Sequence, residues 1–286
     1  MRYMFSALIT PQQLQSLDTG AVRVFDCSFD LANPEAGLVQ FESVHIAGAV
    51  HADLNRYLSG HDAANNASGG RHPLPDRASF ATWLRQQGLN TGMQAVVYDR
   101  QGANFCGRLW WMLKWCGHEA VAVLDGGLAG WQSAGGAIGS GPSAAYPAGN
   151  FALGDPLVAV RHTAELASQL GNPGLTLVDA RTSARFRGEV EPLDPVAGHI
   201  PGALNRPFAD NIGPDGRFKP AQQLRAEFEA LLAGRDAGTV VHHCGSGVSA
   251  IPNLLAMEIA GLGRTALYPG SWSEWCNTPG LVAAQT

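Results

Sequence analysis

Val240-Val241-His242-His243-Cys244-Gly245-Ser246-Gly247-Val248-Ser249-Ala250 reads as a buried strand that breaks into a tight turn and then feeds a helix. The apolar run ends at His243. Gly245 and Gly247 open backbone angles closed to other residues. Pro252 suits the first turn of a helix, where an N–H has no intrahelical acceptor to lose. Ile251, Leu254 and Leu255 start the apolar stripe of that helix, which ends near Gly261. The same pattern recurs on both sides. Strands are expected at 95–98, 121–124, 239–243 and 265–268. Leu224, Phe228, Leu231 and Leu232 form one further helical stripe, and Leu109, Met112, Leu113 and Cys116 another. Short apolar strands alternating with helices predict an α/β fold, a mostly parallel sheet flanked by helices. Ligands of such sheets sit beyond the carboxyl ends of the strands.

The Cys244 segment also has an earlier counterpart. Val96-Val97-Tyr98-Asp99 matches Val241-His242-His243-Cys244, with Asp99 at the cysteine position. Val22-Arg23-Val24-Phe25-Asp26 resembles Leu175-Thr176-Leu177-Val178-Asp179. His45-Ile46-Ala47-Gly48-Ala49 matches His199-Ile200-Pro201-Gly202-Ala203, and Gly126-Gly127-Leu128-Ala129-Gly130-Trp131 matches Gly270-Ser271-Trp272-Ser273-Glu274-Trp275. Four matches in one order predict a duplicated unit. The uncharged, Gly- and Ser-rich run from Gly135 to Ala145 reads as the seam. The expected domains are 1–139 and 155–286, joined by a linker at 140–154.

Composition narrows the function classes. The chain has 286 residues, 45% hydrophobic and only 15% charged, enough to bury a sizeable core. A net charge of -5 lacks the basic face that nucleic acid requires. No apolar run approaches the ~18 residues that span a bilayer. The apolar start, Met1 to Ile9, runs straight into Thr10-Pro11-Gln12-Gln13, the signature of a capped helix start, and reads as a strand or turn rather than a signal peptide. Five widely spaced cysteines without a C-x-x-C form neither a disulfide framework nor a metal knuckle. A cytoplasmic protein with reduced thiols is expected.

Cys244 then stands out. Successive N–H groups of a glycine–serine turn can point inward as an anion-binding nest. The helix end adds partial positive charge. Both favour the thiolate form of Cys244, the form that attacks. Ser246 and Ser249 can add hydroxyl donors. Cys27, Cys106, Cys116 and Cys276 read as small buried apolar residues. His242 and His243, on the strand, are expected to be packed, and Trp110, Trp111 and Trp115 to fill the core or an interdomain contact.

On these motifs the whole chain resembles the tandem-domain rhodanese-type sulfurtransferases. The loop Cys244-Gly245-Ser246-Gly247-Val248-Ser249 is similar to the Cys-Gly-Ser-Gly-Val-Thr of the 3-mercaptopyruvate members, and it lacks the basic residues that follow the cysteine in animal thiosulfate members. The resemblance implies two rhodanese-like domains, each a five-stranded parallel sheet flanked by helices. It implies an inactive first domain and a site between the two. It further implies that Cys244 takes sulfur from a small anionic donor, 3-mercaptopyruvate or thiosulfate, as a persulfide. A thiol, cyanide or a thioredoxin-like reductant would receive it, with no cofactor, metal, membrane or nucleic acid involved. Arg185, in Arg185-Phe186-Arg187-Gly188, matches the family's substrate arginine. His72 matches a family histidine near the cleft. Asp179 is expected to orient loop or arginine groups. His45 and His199 occur in both copies and are expected to hold turns. Two positions depart from the family. The second arginine of a Glu-Pro-x-Pro-Arg context is missing from Glu189-Val190-Glu191-Pro192-Leu193-Asp194-Pro195, and Asn55 stands at the acidic position of the proposed triad. A thiosulfate:cyanide enzyme and a sulfur carrier without turnover are the alternatives. A rhodanese-fold phosphatase would need arginine where Ala250 stands.

Overall fold

Each half of the repeat supplies one five-stranded, all-parallel sheet in the computed structural model, which describes residues 4–285. The expectation for Met1 to Tyr3 lies outside the described residues. The first half contributes β1 (Leu8–Ile9), β2 (Val22–Asp26), β3 (His45–Ile46), β4 (Val50–His51), β5 (Gln94–Tyr98), β6 (Val121–Leu124) and β7 (Ile138–Gly139). The second contributes β8 (Ala159–Val160), β9 (Thr176–Asp179), β10 (Leu204–Asn205), β11 (Val240–His243) and β12 (Ala266–Leu267). The sheet orders, β1-β6-β5-β2-β4 and β8-β12-β11-β9-β10, are the same topology strand for strand. A small antiparallel pair, β3 with β7, is added in the first half. Every residue of β5, β6 and β11 is buried, as strands covered on both faces require. The α/β reading and the duplication therefore hold in three dimensions.

Two compact units follow from this. The first holds the residues up to Gly60, Pro75–Leu157 and Gly213–Phe218; the second holds His61–Leu74, Val158–Ile212 and the residues from Lys219. Segment 61–74 thus falls on the other side of the expected division. The stretch 140–154 has no long regular element, yet it is not a free tether. Gly141 N–H donates to Glu42, Tyr146 Oη to Gly48 and Gly149 N–H to Arg85, and Phe151 is buried.

Local sequence explains the remaining elements. Thr10 caps helix Pro11–Gln15 with a full capping box to Gln13. Leu224, Phe228 and Leu232 bury one face of helix Ala221–Leu232. Helix Cys106–Trp115 departs from its one-sided reading, because all ten residues are buried, Arg108 and Lys114 included. Lys114 keeps its charge partnered, with Glu119 at 3.3 Å and the Trp110 ring at 4.8 Å.

Titration of the second unit sets its acid limit. Burial pushes His242 down to about 3 from an ordinary 6.5, with His243 and Arg206 adding to the effect. Partial burial works to raise Glu227, but hydrogen bonds from Arg206, Lys219 and Gln223 and the Arg206 charge hold it at about 2, against an ordinary 4.5. Both groups bind fewer protons folded than unfolded, so stability rises with pH across these intervals. It should be complete above pH 6.5 and fall as pH drops toward 3, with Glu227 joining the loss below 4.5. Urea midpoints measured between pH 7 and pH 4 should decline steadily. A flat series would contradict this account.

Candidate active site

The first copy shows what its loop is shaped to hold. Asp99, directly after β5, accepts four backbone hydrogen bonds: Gln101 and Ala103 N–H on Oδ1 at 2.9 and 3.0 Å, and Phe105 and Cys106 N–H on Oδ2 at 2.8 and 2.9 Å. The loop is an anion nest filled by its own carboxylate. In the second copy Cys244 replaces Asp99, and Ser246, Val248 and Ala250 replace Gln101, Ala103 and Phe105. These three residues are buried. No hydrogen bond from their N–H groups is found among the described residues. Buried N–H groups are rarely left without an acceptor. Their concentration beside a cysteine marks a seat for negative charge.

The turn is fixed by contacts that tolerate little change. Gly247 has φ 73°, and a Cβ there would stand 2.2 Å from the Pro269 carbonyl oxygen, so only glycine fits. Its counterpart Gly102 has φ 67°. Trp272 and Ser273 N–H groups donate to the Cys244 and Gly245 carbonyls at 3.0 and 2.9 Å. Cys244 N–H donates to Ser271 Oγ at 3.1 Å, and that hydroxyl donates to the Tyr268 carbonyl at 2.9 Å. Ser271 holds φ 55°, a left-handed angle uncommon outside glycine. The first copy has Gly127 there, also at φ 55°. The serine therefore keeps a strained backbone and adds an acceptor for the cysteine's amide.

Charged groups converge on the same loop. Register pairs His243 with Asp179, so Cys244 and the end of β9 emerge side by side. Asp179 is fully buried and accepts from Arg181 through Nε at 3.0 Å, Nη2 at 2.7 Å and its backbone N–H at 2.9 Å. Burial alone would raise this carboxyl, but His243 and the Arg181 charge and hydrogen bonds outweigh it and hold it low. Arg181 lies over the Trp272 ring at 4.8 Å. Burial works to lower Arg181, but Asp179, Glu191 and Cys244 raise it above its ordinary value. Arg185 donates to Glu191 at 2.7 Å and to Asp194 at 3.3 Å. His72 Nδ1 shares a 2.7 Å hydrogen bond with Ser246 Oγ. Gly245 is flanked by two guanidinium groups. A Cβ built there would lie 3.4 Å from Arg185 Nη1 and 3.1 Å from Arg71 Nη2.

The second unit thus brings together Cys244, Gly245, Ser246, Gly247, Val248, Arg185, His72 and Asp179; Ser249 is half-buried at the end of the turn. Arg187 instead pairs with Glu189 on the surface. Asn55 belongs to the first unit. His45 and His199 each bond a phenylalanine carbonyl at 2.7 Å and stack on that ring, Phe41 and Phe186, so they secure equivalent turns. Sequence reading missed Ser271 and Arg71. The repeat carried a faint signal for Ser271, opposite a glycine. For Arg71 the only sign was its place next to His72.

Chemically, the arrangement can hold a sulfur anion against backbone N–H donors and the rest of a small anion against guanidinium groups. Comparison with known proteins agrees with this. The rhodanese-like domain family matches residues 10–134 and 162–278. A probable 3-mercaptopyruvate sulfurtransferase of Pseudomonas aeruginosa is 47% identical over 95% of both chains. A putative thiosulfate sulfurtransferase of Mycobacterium tuberculosis, SseB, is 40% identical over 95% of this chain and 94% of its own. The crystal structure of SseA from Escherichia coli, described as a 3-mercaptopyruvate sulfotransferase, superposes with a TM-score of 0.79 at 31% identity, covering 94% of this chain and 100% of that one.

Proposed function

This chain belongs to the rhodanese-like family and is a sulfurtransferase, and we propose that it takes sulfur from 3-mercaptopyruvate as a persulfide on Cys244. The observation that carries this reading is that the N–H groups of the buried residues Ser246, Val248 and Ala250, beside Cys244, have no acceptor among the described residues, where the other copy seats a carboxylate. The Cys244 thiolate attacks the donor's thiol sulfur. The C–S bond breaks, its electron pair leaves on the pyruvate enolate, and a proton from solvent completes pyruvate. An S–S bond now joins Cys244 to the transferred sulfur. An acceptor thiolate attacks that outer sulfur, the S–S bond breaks, and the Cys244 thiolate returns. The loop N–H groups stabilise the anionic persulfide and the transition states on both sides of it. Arg185 holds the donor's carboxylate and His72 fixes Ser246 in the loop. Asp179 positions Arg181.

The acceptor in this proposal is a small thiol or cyanide, with a thioredoxin-like reductant as a protein acceptor. No metal or cofactor enters any step. The proposed compartment is the cytoplasm, where thiols stay reduced; no helix among the described residues is long and apolar enough to cross a membrane. Exposure to 3-mercaptopyruvate should add the mass of one sulfur atom to the peptide bearing Cys244, and kcat/KM should favour this donor over thiosulfate. A peptide of unchanged mass would overturn the persulfide. A large thiosulfate preference would overturn the donor.

A further inference from the structure

In the first copy the Asp99 side chain is aimed by its own carboxylate bonds. The Cys244 thiolate must stay open to an incoming sulfur, so its direction has to be set from the backbone. The polar groups on both sides of its Cα are held by consecutive residues. The N–H donates to Ser271 Oγ at 3.1 Å, and the carbonyl accepts from Trp272 N–H at 3.0 Å. Neither bond has a counterpart at Asp99 among the described residues. Trp272 is itself locked: it is fully buried, and its indole N–H donates to the Val196 carbonyl at 2.9 Å.

Ser271 stands where the sheet would otherwise continue. Strands β11 and β12 run parallel, with His242 level with Leu267. Tyr268 N–H donates to the His242 carbonyl at 2.9 Å, so the next rung of the ladder would run from Cys244 N–H to the Tyr268 carbonyl. The Ser271 hydroxyl is inserted into that rung, accepting from Cys244 N–H and donating to the Tyr268 carbonyl at 2.9 Å. The strand ends can then part at Cys244 without leaving its buried amide unpaired. The backbone bears a cost for this. Ser271 is fully buried at φ 55°, whereas the first copy, with no thiol to aim, has Gly127 at the same angle. Strain of this kind persists where the surroundings require the side chain. We propose that Ser271 is the positioning residue of the nucleophile: its hydroxyl fixes the peptide plane before Cys244 and so turns the sulfur toward the Ser246, Val248 and Ala250 N–H groups. It touches neither the donor nor the reacting sulfur and acts through the Cys244 backbone. Its effect therefore falls on the chemical step rather than on donor binding.

This inference rests on Cys244 as the nucleophile, and the test keeps the two apart. Ser271→Gly, Ser271→Ala and Ser271→Thr are compared in the full chain by thermal melts and by steady-state kinetics with 3-mercaptopyruvate and with thiosulfate, so the outcome does not depend on the donor. Glycine and alanine both remove the hydroxyl, but only glycine relieves the backbone angle. Ser271→Gly should therefore melt above Ser271→Ala, while kcat per folded molecule falls by roughly tenfold in both and KM stays within about twofold. Ser271→Thr keeps the hydroxyl on a β-branched side chain that suits this angle poorly, so it should melt below the wild type yet recover most of kcat. If threonine is not tolerated, the glycine and alanine pair decides. A purely structural serine would make activity follow the melting temperature. Such a graded loss, or a Ser271→Gly variant whose kcat stays within about twofold of wild type beside an inactive Cys244→Ala, would overturn the role of Ser271 alone. An active Cys244→Ala would overturn the nucleophile and this role with it.

Discussion

Cys244→Ala should lower kcat/KM for sulfur transfer by roughly 10⁴-fold or more, the scale seen when a covalent nucleophile is deleted. No other thiol is placed to substitute. Burial, reinforced by Asp26 and Asp99, raises Cys27 well above the ordinary thiol range, and burial with Asp99 does the same for Cys106. Burial pushes Cys116 up to about 11 and also raises Cys276. All four therefore stay protonated near neutral pH and are poor nucleophiles. The fold should survive, because removing one buried sulfur costs about 1 kcal/mol and the Ser271 hydrogen bond goes to the backbone N–H of residue 244. Steady-state assays beside thermal melts check both halves. A variant that melts normally and keeps more than a few per cent of activity would sink the nucleophile assignment.

Asp179→Ala should be the most destabilising single change near the site, by about 3–5 kcal/mol, the usual cost of removing one partner from a buried ion pair. Asp179 and Arg181 are both essentially out of solvent. Without the carboxylate, Arg181 keeps Glu191 at 3.2 Å and the Gly198 carbonyl at 2.7 Å, but loses its nearest charge. The guanidinium that lies in the field of Cys244 is then free to turn. Activity should fall by more than the loss of folded protein explains. Urea titration gives the first quantity, and kcat per folded molecule gives the second. A loss under about 1 kcal/mol would show that Glu191 alone suffices.

The fold and the nucleophile were legible because their signals are local. A strand, two glycines, a serine and Pro252 lie within a dozen residues, and each residue type has one sensible place in a strand–turn–helix. The repeat then made Asp99 informative by contrast. What escaped depends on tertiary approach. Arg108 and Lys114 look like solvent-facing residues of a one-sided helix; only the packed structure shows them buried. Arg71 becomes a site residue because Gly69 and Gly70 let the chain lie against Gly270 and Glu274, far along the sequence. Ser271 sits at an angle that its side chain does not favour, so propensity argued against the conformation it adopts.

The carboxylate of Asp99 carries a mechanical consequence. In the first half a side chain tethered to the backbone occupies, at every moment, the seat that the second half offers to a visitor. A groove plugged from within acts as a rivet. Four amides, three of them in buried residues, depend on that one carboxylate, and losing it would unfasten the turn. In the proposed chemistry the halves differ accordingly: the first fastens its loop with its own carboxylate, and the second keeps the equivalent N–H groups for an incoming anion.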